Sequence, residues 1–194
     1  MEQVLLELTT RDADHIIVIA HSMGTQILSR GLDALIANNP AAAAKISTVV
    51  LAAPDIDAEI FKRQLLPNFK KLTNPATVYA SDGDTALLAS QTLNGEVRLG
   101  DTSAGISAMD GIEFIDASGF KSDFFGHTYF GDNASILSDI FHIVCTQERT
   151  KDRQLLAALE IEDTNVTPVQ KVTYWKMQPT PANQPNVKLD ACAQ

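Results

Sequence analysis

Four short runs along the chain are apolar and rich in β-branched residues: Ile16 to Ala20 (IIVIA), Thr48 to Ala53 (TVVLAA), Thr77 to Ala80 (TVYA) and Ile112 to Ile115 (IEFI). Each has the length of a strand. The first two are apolar throughout instead of alternating, the pattern of strands covered on both faces of a parallel sheet. Between the runs, apolar residues recur at helical spacing. Gly24 to Ala37 carries Ile27, Leu28, Leu32, Leu35 and Ile36, and Ala58 to Phe69 carries Ile60, Phe61, Leu65, Leu66 and Phe69, with Pro67 expected to break the second helix early. Asn133 reads as the N-cap of a helix bearing Ile136, Leu137, Ile140, Phe141 and Val144 on one face, and a further charged helix is expected over Lys151 to Glu160. Strands alternating with helices predict an α/β fold with a doubly wound, mostly parallel sheet, because parallel neighbours need crossover connections. From Glu162 onward the pattern gives way to Pro168, Pro179, Pro181 and Pro185 among polar residues, with one apolar island at Val172 to Met177. The expected organisation is an α/β portion over 1–161 and a Pro-containing, largely irregular tail over 162–194, mobile from Gln178.

A length of 194 residues, 45% of them hydrophobic and 20% charged, suits one domain. The net charge of −9 is scattered and leaves no basic stripe to neutralise phosphates, so no nucleic-acid partner is expected. No apolar run approaches the ~20 residues of a membrane span, and the start MEQVLLEL lacks a basic segment followed by a long apolar one. A cytoplasmic location follows if Met1 is the true start. The two cysteines, Cys145 and Cys192, offer neither a disulfide framework nor a metal knuckle, and no metal or organic cofactor is expected.

Candidate chemistry begins directly after the first strand. Ala20-His21-Ser22-Met23-Gly24 turns from that strand into a helix, a small-x-Ser-x-Gly elbow. Such a turn forces the serine backbone into strain and lifts its Oγ clear of the sheet, while small residues two before and two after let neighbouring backbones approach. Met23 opens the helix, so its N–H points to where an oxyanion would form and the helix dipole favours negative charge there. The bland alternative is that Ser22 merely caps a helix.

A serine hydroxyl needs a general base, and the base needs a carboxylate to fix its tautomer. On an elbow of this kind the partners follow in chain order Ser, acid, His. The third strand runs into Ser81-Asp82-Gly83-Asp84, which makes Asp84 the candidate acid; Asp82 could serve instead, or form the turn with Gly83. Position sorts the histidines. His15 precedes the first strand, His142 falls within a helix near its apolar face, and His21 is expected to support the site from behind. His127, in Gly126-His127-Thr128-Tyr129-Phe130 after the last strand, is the candidate base.

With these residues the chain resembles the α/β-hydrolase superfamily, and more narrowly its bacterial esterase/lipase-like branch of unknown function. The words that carry the resemblance are AHSMGT (Ala20 to Thr25), LAAPDID (Leu51 to Asp57), VYAS.GD.AL (Val78 to Leu87), RLGD (Arg98 to Asp101) and GHTYF (Gly126 to Phe130). The resemblance implies Ser22 as nucleophile, Asp84 as acid and His127 as base. It also implies about four strands before the nucleophile strand, yet about fifteen residues precede it here. The expectation is therefore a sheet lacking the N-terminal strands, the C-terminal portion of the fold, with Met23 N–H as one oxyanion donor and the second donor missing. An upstream extension of the chain would then restore solubility and turnover.

Residues 54 to 76 leave room for a loop and one helix but not for a large lid, which suits small or soluble acyl esters. The Gly-rich stretch Asn94 to Asp110 is expected either to line the pocket or to be a plain connector. Two readings follow: a serine esterase working through an acyl-enzyme on a small-molecule ester, or a truncated, non-catalytic remnant acting as a binding module.

Overall fold

The computed structural model describes residues 1–120, 133–163 and 168–179. Six strands, β1 (Ile16–His21), β2 (Ile46–Ala52), β3 (Ala76–Ala80), β4 (Ile112–Asp116), β5 (Leu156–Asp163) and β6 (Gln170–Met177), form one sheet in the order β1-β2-β3-β4-β6-β5. Every neighbouring pair is parallel except β5 and β6, which are antiparallel. The four apolar runs of the sequence are the first four strands, and the doubly wound α/β expectation holds.

Alternate strand residues enter two separate cores, as the pleat requires. Val49, Leu51, Val78 and Phe114 pack with Leu28, Leu32 and Leu35 of α2 (Gly24–Asn38), with Leu5 of α1 (Glu2–Leu8), and with Phe61 and Phe69. Val50, Tyr79 and Ile115 pack on the other face with Leu87 of α6 (Thr85–Asn94) and with Ile136, Ile140 and Ile143 of α7 (Ala134–Thr146). Asn133 caps α7 as expected, its Oδ1 accepting from the N–H groups of Ser135 and Ile136. A short α3 (Pro40–Ala43) leads into β2.

Three expectations are corrected. The helix over Ala58 to Phe69 does not break at Pro67: α4 (Ala58–Ile60) passes into a π turn (Phe61–Leu65) and then α5 (Leu66–Phe69). The proline is the second residue of α5, directly after the π turn. The charged helix over Lys151 to Glu160 is instead a 3-10 turn (Thr150–Asp152) followed by β5, and the apolar island Val172 to Met177 of the segment 162–194 lies in β6. Local propensity yields here to pairing, since β5 and β6 match along eight residue pairs and Val172 and Met177 are buried. Finally, Cys145 is disulfide-bonded, against the expectation that the cysteines supply no bridge. Separation in sequence does not report separation in space.

Candidate active site

The parallel registers align four strand ends. His21 lies opposite Ala52, Ala52 opposite Tyr79, and Ala80 opposite Asp116. The residues that follow continue the ladder: Ser22 N–H donates to the Ala52 carbonyl at 3.0 Å, Ala53 N–H to Tyr79 at 2.9 Å and Ala117 N–H to Ala80 at 2.7 Å. The elbow serine and the acidic turn after β3 therefore share one edge of the sheet, two strands apart.

Ser22 has φ +53°, a left-handed conformation that a residue with a Cβ rarely takes. The conformation is held from both sides. Besides the bond to Ala52, the Ser22 carbonyl accepts from Thr25 N–H at 3.0 Å and from the Thr25 hydroxyl. Thr25 is fully buried. Met23 sits at the head of α2 and is 68% exposed, and its N–H is among those a helix start leaves without an intrahelical partner. One part of the expected geometry differs: a Cβ added at Gly24 would meet no described atom within 4 Å, so closeness of backbones does not require a small residue there.

Asp84 is fully buried and caps α6, its Oδ1 accepting from Leu87 N–H at 3.0 Å. Asp82 is exposed, and its backbone N–H donates to Ser118 Oγ at 2.9 Å. Of the two carboxylates left open by the sequence, burial and a fixed position belong to Asp84. Backbones two strands apart are separated by roughly 10 Å, close to the ~8 Å that an imidazole with a hydrogen bond on each side spans. His127 lies outside the described residues. His21, the last residue of β1, is half-buried beside Ser22, and His15 is exposed ahead of β1. His142, expected to pack on the apolar face of α7, instead places Nε2 2.6 Å from Glu148 Oε2, because the helix turns it to the surface edge of that face.

The stretch Asn94 to Asp110 does more than connect. Residues 97 to 101 cross the carboxyl edge, with Ala58 N–H donating to Val97, Leu99 N–H to Ile56, Gly100 N–H to Pro54 and Ser81 N–H to Gly100. Arg98 is buried and lies 3.3 Å through Nε from Asp55 Oδ1, which also accepts from Ser90 Oγ at 2.8 Å. Gln26 Nε2 donates to the Asp55 carbonyl, joining α2 to the same turn. Thr25, Asp55 and Arg98 were not singled out by sequence reasoning, although all three lie in the words AHSMGT, LAAPDID and RLGD.

A second missed cluster lies on the α7 face. Tyr79 donates to Asp139 Oδ2 at 2.6 Å, and Arg153 Nη1 donates to that oxygen at 2.8 Å and to the Tyr79 hydroxyl at 3.1 Å. Burial pushes the Tyr79 hydroxyl well above its usual 10.0, with the Asp139 charge adding to the shift. Burial also raises the Asp139 carboxyl, against the opposing pull of Arg153. The signal in the sequence was an Asp three residues after Ile136 on an otherwise apolar face.

Residues 1–147 match the family described as alpha/beta hydrolase of unknown function (DUF900). The chain belongs to this family. No curated protein and no solved structure matches it. The match covers the elbow, the acidic turn and the segment containing His127 of this alpha/beta hydrolase, and ends just after α7.

Proposed function

We propose that this alpha/beta hydrolase cleaves carboxylic esters of small or soluble acids through Ser22, His127 and Asp84. The observation that carries the reading is the strained backbone of Ser22 at a strand-to-helix turn. A serine that served only as a cap would take the β region, with no positive φ to maintain. In the proposed reaction Ser22 Oγ forms a bond to the acyl carbon while its proton passes to His127, and the carbonyl π electrons move to oxygen. Met23 N–H faces that oxyanion, and the dipole of α2 adds to its stabilisation. Collapse expels the alcohol, which takes the proton from His127. Water then repeats the sequence on the acyl-enzyme, releasing the acid and free Ser22. Asp84, buried and held by the α6 cap, is the group that orients His127.

Labelling with a fluorophosphonate, followed by peptide mass analysis, tests the nucleophile. One adduct on Ser22, abolished in Ser22→Ala, is expected, together with loss of p-nitrophenyl acetate turnover in Ser22→Ala and His127→Ala. Absence of the adduct, or its appearance on another serine, overturns the assignment.

A further inference from the structure

Three non-glycine residues have positive φ among the described residues, and two have an evident reason: Ser22 forms the elbow, and Gln147 ends α7 as a left-handed cap. The third is Ala53, at φ +44°. It follows directly on β2, is fully buried, and is held by the N–H it donates to the Tyr79 carbonyl. Strain of this kind persists only where the surroundings fix it, and it gathers at working sites. β2 lies between β1 and β3 in the sheet, so the turn bent at Ala53 stands between the Ser22 elbow and the acidic turn. Two residues further on is Asp55.

Asp55 is engaged on two sides. Its main chain meets the elbow: the carbonyl accepts from Gln26 Nε2 of α2, and the N–H donates to the Ser22 carbonyl at 3.5 Å. Its carboxylate meets α6: Oδ1 accepts from Ser90 Oγ at 2.8 Å and lies 3.3 Å from Arg98 Nε, while Arg98 Nη2 donates to the Ser90 carbonyl at 3.5 Å. Both charged side chains are buried. A buried ion pair adds little net stability over apolar packing, because desolvation offsets the attraction. What it adds here is direction. Of the ten residues of α6 only Leu87 is buried, so packing anchors that helix at one point. Ser90, about one turn further on, is a second anchor, and two points fix the axis of a helix that Asp84 caps.

We infer that Asp55 is a positioning residue: its main chain holds the Ser22 elbow and its carboxylate, through Ser90, holds the helix capped by Asp84, so that nucleophile and acid keep one separation. Catalysis depends on such a separation steeply, since a displacement of about 1 Å can cost about 100-fold in rate. The inference rests on the esterase reading for the roles of Ser22 and Asp84, but the link between elbow and helix is measurable without turnover.

The test combines ester kinetics with amide hydrogen exchange on the full chain, both well below the melting temperature of each variant. Asp55→Ala should lower kcat about 100-fold and Ser90→Ala about tenfold, each with KM within about twofold of the parent. Ser90→Thr, which keeps the hydroxyl, should restore kcat to within about twofold. Exchange should quicken over residues 84–88 in both alanine variants, and over 22–26 as well in Asp55→Ala. If Asp55→Ala does not fold, Ser90→Ala and Ser90→Thr decide the question between them. Unchanged kcat in Ser90→Ala, equal kcat in its alanine and threonine variants, an effect on KM alone, or unchanged exchange over 84–88 overturns the inference. A parent protein that gives neither turnover nor a fluorophosphonate adduct overturns the esterase reading instead, and the link is then judged by exchange: quickening in the alanine variants upholds it, and unchanged exchange overturns it.

Discussion

A non-glycine residue at φ +53° costs of order 1–3 kcal/mol unless its surroundings fix it, and Ser22 is fixed by Ala52 on one side and Thr25 on the other. The two candidate carboxylates differ in the same concrete way. Asp84→Asn retains an oxygen that can cap α6, so stability should stay within about 1 kcal/mol of the parent. Its amide, however, offers an N–H where the imidazole N–H needs an acceptor, and kcat should fall by about 10⁴ as in other orienting-Asp replacements. Asp82→Asn, at an exposed turn position, should leave kcat nearly unchanged; ester kinetics and urea melts on both variants check the pair of outcomes. Tyr79 gives a pH prediction whose sign follows from its raised folded-state value. The neutral hydroxyl is favoured in the folded state, so its contribution is present below the unfolded pKa of 10.0 and is lost as pH rises toward the folded one. Above pH 10 the parent should lose about 1.4 kcal/mol per pH unit more than Tyr79→Phe does, measured as the difference between their denaturation free energies at stepped alkaline pH. Parallel curves would contradict the shift.

At the scale of elements, the site depends on how the segment of residues 97 to 101 lies across the strand ends. A Cβ at Gly100 would sit 2.6 Å from both the Ala53 carbonyl carbon and the Pro54 nitrogen, which are backbone atoms and cannot swing aside. Gly100→Ala should therefore destabilise the protein by about 3 kcal/mol and weaken the turn that carries Asp55. Gly24→Ala is the contrast. With no described atom within 4 Å of the added methyl, it should stabilise the start of α2 by about 0.5–1 kcal/mol. Thermal and urea melts of the two variants should move in opposite directions; equal shifts would mean that the close approach at Gly100 is not a constraint. The acidic turn and α7 are joined by the same kind of device, since Tyr79 on β3 and Asp139 on α7 share a buried bond. That bond places the helix following the His127 segment against the strand that leads to Asp84.

For the molecule as a whole, the sheet among the described residues ends in two edge strands, β5 and β1. Among the described residues β1 pairs with β2 alone, and Ile19 on it is 44% exposed. Unpaired backbone groups beside an exposed isoleucine are a template for strand pairing between molecules. Ile19→Lys should reduce concentration-dependent association, followed by light scattering, while leaving the melting temperature close to that of the parent. Unchanged association would place the sticky surface elsewhere.

What the sequence determined by itself are the features written in contiguous residues. Four apolar runs, the α2 periodicity, the Asn133 cap and the elbow word around Ser22 each encode local geometry, and the strand-helix alternation then fixes parallel topology through the crossover it requires. The family followed from those words as well. The tertiary structure decided whatever depends on partners distant along the chain. Leu156–Asp163 is a strand because Gln170–Met177 pairs with it, not because of its own propensity. Asp84 is separated from Asp82 by burial, which no spacing reveals. The Arg98–Asp55 and Arg153–Asp139 pairs join residues 43 and 14 positions apart that meet where the chain has folded back on itself. Buried charges need partners wherever the fold brings them, and that meeting in space is the information a linear pattern does not hold.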